Sequence, residues 1–401
     1  MNVLFLNDTL FQDLPSGSGL VMQEVARGLR RRGHCLTIMV PKRAAGLADE
    51  EEGPEGRTIR FRYARRRWWH PASFALRSIL AFRRLVRRER FDIVHTHFAY
   101  AALGPLLLSR RAGSGIVRSF YGPWADEGRA NETLDGASRQ AAWHSRLRYR
   151  VRREIERLSL ERSDAIIALS HYSKLQLLGD YGLKPDRIRV VPAGVDAQRF
   201  VPPRDKGAVR IRLGLPVDAV VLLAVRRLVP RMGLHNLLQA MPVILAAEPR
   251  CLLVICGTGP LRGSLERHIA DAGLEAHVRL AGRVPDDILP FYYQAADICI
   301  LPTVGLEGFG LVTLEALASG IPVLGTAVGA TPEILGRLDG DLLIRGTGSE
   351  ALAGAVVKLL RCRGRYSPEV LRRFAVEQYP WERTVAATEE IYREVVAGQG
   401  G

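Results

Sequence analysis

The sequence predicts an α/β protein made of two consecutive, doubly wound halves, and three observations carry that prediction. Short apolar runs of strand length alternate with helix-period stretches that stop at glycine. The alternation breaks once, at Val201-Pro202-Pro203-Arg204-Asp205-Lys206-Gly207, and then restarts. The chain of 401 residues is also too long for one ordinary core, since domains of about 100–200 residues are usual.

In the first half, the apolar run Val3–Leu6 precedes the polar loop Pro15-Ser16-Gly17-Ser18-Gly19. Val21, Val25, Gly28 and Leu29 then mark one face of a helix from Val21 to Arg31. Gly33 ends it, and Leu36–Val40 is the next strand, which completes a βαβ unit. Asp92–His95, Ile116–Ser119, Ala165–Leu169 and Arg189–Val191 read as further strands. Beyond the linker come Val220–Val225, a helix from Leu234 to Ala246, Cys251–Cys256, Val278–Leu280, Ile298–Leu301 and Pro322–Gly325. Val385, Thr388, Ile391, Tyr392 and Val395 give the stretch from Trp381 to Val396 an amphipathic helical pattern. Ligands of such sheets bind in crevices at the carboxyl ends of the strands.

Composition narrows the class. Apolar residues at 47% and charged residues at 25% are those of a soluble globular chain. The 39 Gly and 22 Pro show no triplet period, which excludes collagen. Five cysteines without a C-x-x-C pair argue against a disulfide framework or a zinc knuckle, and predict reduced thiols in a cytosolic protein. The start Met1-Asn2-Val3-Leu4-Phe5-Leu6 lacks a basic leader, and no apolar run approaches the roughly 20 residues of a membrane span.

Charge is unevenly placed. All but one unit of the +15 net charge falls in residues 1–200. Arg57 to Arg90 alone holds twelve arginines against one acid, Glu89. Such a stretch suits an anionic partner of the first half, such as a membrane surface, a polyanion or a phosphorylated acceptor; the plain alternative is a genome that writes Arg for any solvated cation. Within it, Arg65-Arg66-Arg67-Trp68-Trp69-His70-Pro71 precedes a helical pattern from Ser73 to Glu89 with an apolar and a basic side. That pattern fits a membrane-surface helix and a helix packed on the sheet equally well. No nucleic-acid motif accompanies the charge, and no nucleic-acid partner is expected.

The strongest local signal is Glu307-Gly308-Phe309-Gly310-Leu311-Val312-Thr313-Leu314-Glu315. A strand runs into a glycine loop that opens a helix ending at Ser319-Gly320. Glycines there leave backbone N–H groups uncovered at a helix start, which suits a phosphate or pyrophosphate. Glu315, about a turn inside, could accept bonds from a ribose diol, and Glu307 at the loop mouth could face the group beyond the phosphates. Alone, the same residues would also serve as a glycine turn with a dipole-stabilised acid.

The two acids eight apart resemble the E-x7-E motif of the retaining glycosyltransferases of family 4, which have the GT-B fold. The resemblance covers nearly the whole chain. Val225 to Gly233 is similar to that family's G-R-L-x-x-x-K-G donor-phosphate segment, and Cys256-Gly257-Thr258-Gly259-Pro260 to its G-x-G-P loop. Gly282-Arg283-Val284 matches the turn that meets the base. Ala318 to Val323 and Gly329 to Ile334 match the segments after the motif. Gly33-His34, Asp92 to His95, Ser170 and Gly194-Val195-Asp196 match positions in the first half.

The resemblance implies roles. Glu307, Arg227 and Arg231 would be catalytic, the arginines opposing charge on a departing nucleoside diphosphate. Gly17, Gly19, Gly257, Gly259, Arg283, Val284, Gly308, Phe309, Gly310, Leu311 and Glu315 would bind the donor. Tyr121, Asp126, Glu127 and His97 would lie on the acceptor side, although a packed, hydrogen-bonded role fits His95 and His97 at least as well. Three departures stand out: Met232 replaces the phosphate-segment Lys, Ser16-Gly17 then Ser18-Gly19 replaces the glycine pair, and Tyr121 replaces the His of His-Gly. Surface charge is the plain alternative for Arg226 and Arg231.

The expectation is therefore an acceptor domain at 1–201, a nucleotide-sugar domain at 202–381, and a C-terminal helix, 382–401, packed back on the first. A sugar would pass from a UDP- or GDP-linked donor to a hydroxyl acceptor, glycan or lipid-linked, with retention and with no metal or other cofactor. The setting would be cell-envelope or polysaccharide synthesis, in the cytoplasm or at the inner face of the membrane. Two rivals remain: a sugar phosphorylase of the same fold, and a non-catalytic binding relative.

Overall fold

The computed structural model describes residues 1–11, 16–64, 70–99, 113–132, 139–362 and 364–399. Trp68, Trp69 and Arg65 to Arg67 lie outside the described residues. Cα packing separates two units, one holding Met1–Arg129, Ala137–Ala193 and Trp381–Gly401, the other chiefly Gly194–Pro380.

The first unit is built on β1 (Asn2–Leu6), β2 (Cys35–Pro41), β3 (Glu50–Gly53), β4 (Gly56–Phe61), β5 (Ile93–Thr96), β6 (Gly115–Phe120), β7 (Ala165–Ala168) and β8 (Ile188–Val190). These form one sheet in the order β3-β4-β2-β1-β5-β6-β7-β8, parallel except for the β3–β4 pair. Val3, Leu4, Phe5 and Leu6 of β1 are fully buried, as a strand covered on both faces requires. Helix α1 (Gly17–Arg31) begins where Ser16 accepts a bond from the Gly19 amide, a side-chain N-cap.

The helix Trp381–Ala397 packs on this unit. A Cβ on Gly28 of α1 would sit 2.3 Å from Val385, and one on Gly115 would sit 2.4 Å from Val395. Both glycines are where they are because a neighbouring valine occupies the space.

The β3–β4 hairpin was not expected from the sequence. It changes the reading of the basic stretch. Arg57 pairs with Glu50 and Glu89, Arg60 with Glu51, and Arg62 with Asp49. Helix α2 spans His70–Val86 rather than Ser73 to Glu89. Its Phe74, Phe82 and Leu85 join Leu4, Met39, Phe61 and Val94 in one core. The apolar side of α2 is packed, and a basic side remains outside.

The second unit carries β9 (Val220–Val225), β10 (Cys251–Cys256), β11 (Val278–Gly282), β12 (Ile298–Leu301), β13 (Val323–Thr326) and β14 (Leu343–Ile344). They form an all-parallel sheet in the order β11-β10-β9-β12-β13-β14. The packing boundary falls at Gly194, seven residues before the Val201 end of the first half drawn from sequence. Val195 bridges Pro380, and Arg372 bonds the carbonyls of Ala197 and Phe200, which ties residues 195–200 to the second unit.

Strand order reverses at β1/β5 in one sheet and at β9/β12 in the other. Loops leaving those strand ends diverge and leave a crevice. The residues singled out by sequence are concentrated in and beside them.

Candidate functional site

In the second unit, β9 leads into residues 226–233 and β12 into residues 302–310, which open the helix Leu311–Ala318. Gly310 caps that helix with φ of 94°, a left-handed conformation that costs glycine little. Leu306, at φ 58°, is the single non-glycine residue with positive φ among the described residues. The loop is held in this form from several sides. The Arg231 guanidinium donates to the Leu306 carbonyl at 2.8 Å, the Val304 amide to the Arg231 carbonyl at 2.8 Å, and the Ala330 amide to the Glu307 carbonyl at 2.9 Å.

Glu307 is 8% exposed and makes a 2.9 Å ion pair with Arg226. Thr303 donates to the same carboxylate oxygen at 3.2 Å. Arg226 is therefore no surface charge. It is buried, and its Nε and Nη2 have no hydrogen-bond partner. In the G-R-L-x-x-x-K-G pattern, Arg226 stands at the first Gly and Met232 at the Lys, so this chain carries a cation at the start of the segment and none at the Lys position. Arg227, one residue on, is exposed, whereas Arg231 is 9% exposed and braces the loop backbone.

Gly257 and Gly259 have a packing reason for being glycine. A Cβ would lie 1.8 Å from the Arg226 carbonyl oxygen at Gly257, and 2.3 Å from that of Leu228 at Gly259. The Gly257 amide also donates to the Gly282 carbonyl at 2.7 Å. This brings the turn with Arg283 (exposed) and Val284 (half-buried) beside the same strand ends. Phe309 is buried with its ring 6.1 Å from Tyr379, so its side chain packs inward and only its backbone can face a ligand. Gly308 and Leu311 are half-buried. Glu315 accepts a 2.6 Å bond from the Tyr293 hydroxyl; burial raises its pKa, and the Tyr293 bond offsets part of that rise. Tyr293 and the Arg226–Glu307 pair were not anticipated from sequence.

In the first unit, Gly17 is exposed at the start of α1 and Gly19 buried within its first turn. His95 and His97 follow each other out of β5, ring centroids 4.1 Å apart. His95 Nδ1 meets the Tyr392 hydroxyl at 2.5 Å and its Nε2 meets Ser119 Oγ at 2.8 Å. His97 Nδ1 meets the Tyr121 hydroxyl at 2.7 Å, the rings stacked at 19°, while its buried Nε2 has no partner. Asp126 accepts a 3.1 Å bond from Tyr149, and Glu127 lies one residue further on the helix Trp124–Glu132. Glu156, missed by sequence, accepts bonds from the first amides of that helix and from Tyr181 at 2.7 Å. The residues expected at the site thus form two groups, one in each unit.

Burial depresses both histidines, with Arg118 adding for His95 and His95 then Arg118 for His97; His95 falls to about 3. Their folded pKa values lie below the unfolded value of about 6.5, so only the unfolded chain takes up protons as pH falls below that value. For His95, stability is retained above pH ~6.5 and lost as pH falls toward about 3, by up to about 1.4 kcal/mol per pH unit, and His97 acts in the same direction. Urea midpoints at pH 7 and pH 5 should differ less in His95→Gln than in the parent. An unchanged difference would show that His95 does not titrate in this way.

The fold and the strand-end loops define a GT-B protein. Two family matches tile the chain: Glycosyltransferase Family 4 over residues 15–199 and Glycosyl transferases group 1 over residues 205–376. The chain belongs to the family 4 glycosyltransferases and is an enzyme of the hexosyltransferase type. It is 30% identical to a GDP-mannose-dependent alpha-(1-6)-phosphatidylinositol monomannoside mannosyltransferase of Mycolicibacterium smegmatis, over 90% of each chain. It is also 30% identical to a D-inositol 3-phosphate glycosyltransferase of Geodermatophilus obscurus, over 92% of this chain and 82% of the other. Sucrose-phosphate synthase of Thermosynechococcus elongatus shares the fold at TM-score 0.82 and 22% identity, covering 99% of this chain and 100% of the other. Anabaena HepE in complex with UDP-glucose does so at 0.76 and 19%, covering 98% and 100%. Among the described residues, no helix is long and apolar enough to cross a membrane.

Proposed function

We propose that the chain transfers a hexose from a UDP- or GDP-linked donor to a hydroxyl of a glycan or lipid-linked acceptor, with retention of anomeric configuration and without a metal. The observation that carries the reading is the glycine loop at residues 308–310. It opens a helix beside the exposed Arg227, with a carboxylate on either side at Glu307 and Glu315. Backbone amides at a helix start favour a diphosphate. Arg227 opposes the charge that grows on it as the glycosidic bond breaks. Glu315 holds the ribose and Glu307 the sugar. Gly257, Gly259, Arg283 and Val284 shape the base and phosphate wall. Tyr121, His97, Asp126 and Glu127 serve the acceptor. The relatives' names support the donor and acceptor classes: one specifies GDP-mannose and a phosphatidylinositol mannoside, another structure holds UDP-glucose. All five cysteines are free, which supports a reducing compartment, the cytoplasm.

Thermal shift against UDP, GDP and ADP tests the donor. A nucleotide at 100 times its Kd stabilises the native state by about 2.7 kcal/mol. One of UDP or GDP should raise Tm clearly more than ADP; no response to any would remove the donor site. Glu315→Ala should weaken that nucleotide by about 1–3 kcal/mol. With the donor so identified, Arg227→Ala should lower turnover by about 10²–10³. Its exposure leaves stability within about 0.5 kcal/mol. A rise in KM at unchanged kcat would contradict that role. The anomeric configuration of the product, read by NMR, tests retention.

A further inference from the structure

A buried guanidinium stands at 226, where the G-R-L-x-x-x-K-G pattern has a glycine. Stability does not account for it. The side chain is 5% exposed, and its nitrogens Nε and Nη2 have no hydrogen-bond partner. Burying donors without partners is unfavourable, and a buried ion pair seldom outdoes an apolar replacement of similar volume. The charge does not serve a diphosphate either. Glu307 neutralises it at 2.9 Å, so the pair adds no net charge to the loop.

The effect of the guanidinium lies at the carboxylate. Arg226 Nη1 is 2.9 Å from Oε2 of Glu307, and the Thr303 hydroxyl donates to that same oxygen at 3.2 Å. Oε1 takes part in neither contact. It turns toward the helix start, 3.9 Å from where a Cβ on Gly310 would stand. Both anchors are themselves fixed. The Arg226 amide donates to the Cys256 carbonyl at 2.9 Å, and Thr303 is fully buried with its carbonyl accepting from the Thr326 hydroxyl. Arg231, from the same segment as Arg226, holds the Leu306 carbonyl one residue before Glu307. Residues 226–233 thus grip the loop twice, by the backbone at 306 and by the side chain at 307.

We propose that Arg226 is a positioning residue: with Thr303 it pins one oxygen of Glu307 so that the other is presented to a hydroxyl of the donor hexose. This rests on the reading of Glu307 as the acid that meets the sugar. An unanchored glutamate samples several rotamers, whereas one pinned at a single oxygen keeps one acceptor direction. Arg226 therefore acts on the sugar half of the donor and not on the phosphate half. It does not stand in for the lysine that Met232 replaces.

The test pairs steady-state transfer with calorimetric binding of UDP or GDP, whichever the thermal shift selects, on the full chain. Arg226→Gln should lower kcat about 10²-fold, while affinity for the nucleoside diphosphate, which carries no sugar, stays within about threefold. Thr303→Val keeps the buried volume and the ion pair, and should cost about tenfold in kcat. It carries the test if Arg226→Gln does not fold. Arg226→Lys keeps the charge without the planar group and should retain more turnover than Arg226→Gln. Because Arg226 acts through Glu307, kcat of Arg226→Gln with Glu307→Gln should equal that of Glu307→Gln alone. Losses that multiply would overturn the positioning role. A large fall in nucleoside-diphosphate affinity in Arg226→Gln, or recovery of its kcat by Met232→Lys, would assign Arg226 to the phosphates and overturn it too. One-to-one nucleotide binding by each variant shows that the loop has folded. A parent chain that binds no nucleoside diphosphate would remove the donor site and this inference together. A parent that binds and transfers, with Arg226→Gln and Thr303→Val at parental kcat, would remove this inference alone.

Discussion

Glu307→Gln is expected to cost the enzyme both turnover and stability, and a second substitution should separate the two losses. The amide can still accept from Thr303, but it cannot balance Arg226, whose side chain is 5% exposed. Breaking a buried ion pair by removing one partner costs about 3–5 kcal/mol, because the other charge is left buried. Turnover should fall by about 10²–10³ if the carboxylate meets the sugar in the transition state. Arg226→Met combined with Glu307→Gln removes the stranded charge. Most of the stability should return, since apolar replacement of a buried pair is often neutral. Activity should not return. A double variant that recovers turnover along with Tm would assign Glu307 a purely structural part, and a single variant with parental Tm would deny the ion pair.

The strands and glycine stops were legible because each rests on local pattern. The Glu307-to-Glu315 motif was legible because its parts lie within one loop and one helix. What was not legible depends on partners far along the chain. Adjacent residues leaving a strand turn to opposite sides. Nothing local says that Arg226, rather than Arg227, is the one turned inward, because Glu307 decides it from eighty-one positions away. The same holds for Tyr293 with Glu315 and for His95 with Tyr392, contacts separated by 22 and 297 residues. The charge of Arg57 to Arg90 was only partly legible for a related reason. Counted along the chain it is almost unopposed, yet the hairpin folds Asp49, Glu50 and Glu51 against it. The run Glu50-Glu51-Glu52 has no apolar alternation to mark a strand, and β3 forms because β4 offers it arginines. Gly257 and Gly259 suggested only a phosphate loop, while their first constraint is the backbone of residues 226–228.

That constraint yields a large expected loss of stability from a single methyl group. Gly257 adopts φ of +148°, where L residues are rarely found, and an added Cβ would fall 1.8 Å from the Arg226 oxygen and 2.8 Å from its carbon. Both atoms are backbone, so no side-chain rotation relieves the clash. The chain must part β10 from the segment that carries Arg226 and Arg227. It can do so only by disturbing the Arg226–Cys256 and Gly257–Gly282 backbone bonds. Strained φ alone costs about 1–3 kcal/mol. With the displaced backbone added, Gly257→Ala should lose at least about 3 kcal/mol, or roughly 10 °C in Tm for a unit of this size. Nucleoside-diphosphate binding should weaken as well, because the arginine segment moves. Gly263→Ala is the matched control: nothing lies within 4 Å of its added Cβ, and its φ is ordinary for a helix. That change should be neutral or stabilise by about 0.4–1 kcal/mol through the unfolded state. Differential scanning calorimetry of the two variants decides the matter. Equal Tm values would mean that the loop accommodates a side chain at 257, and that its glycine serves the ligand alone.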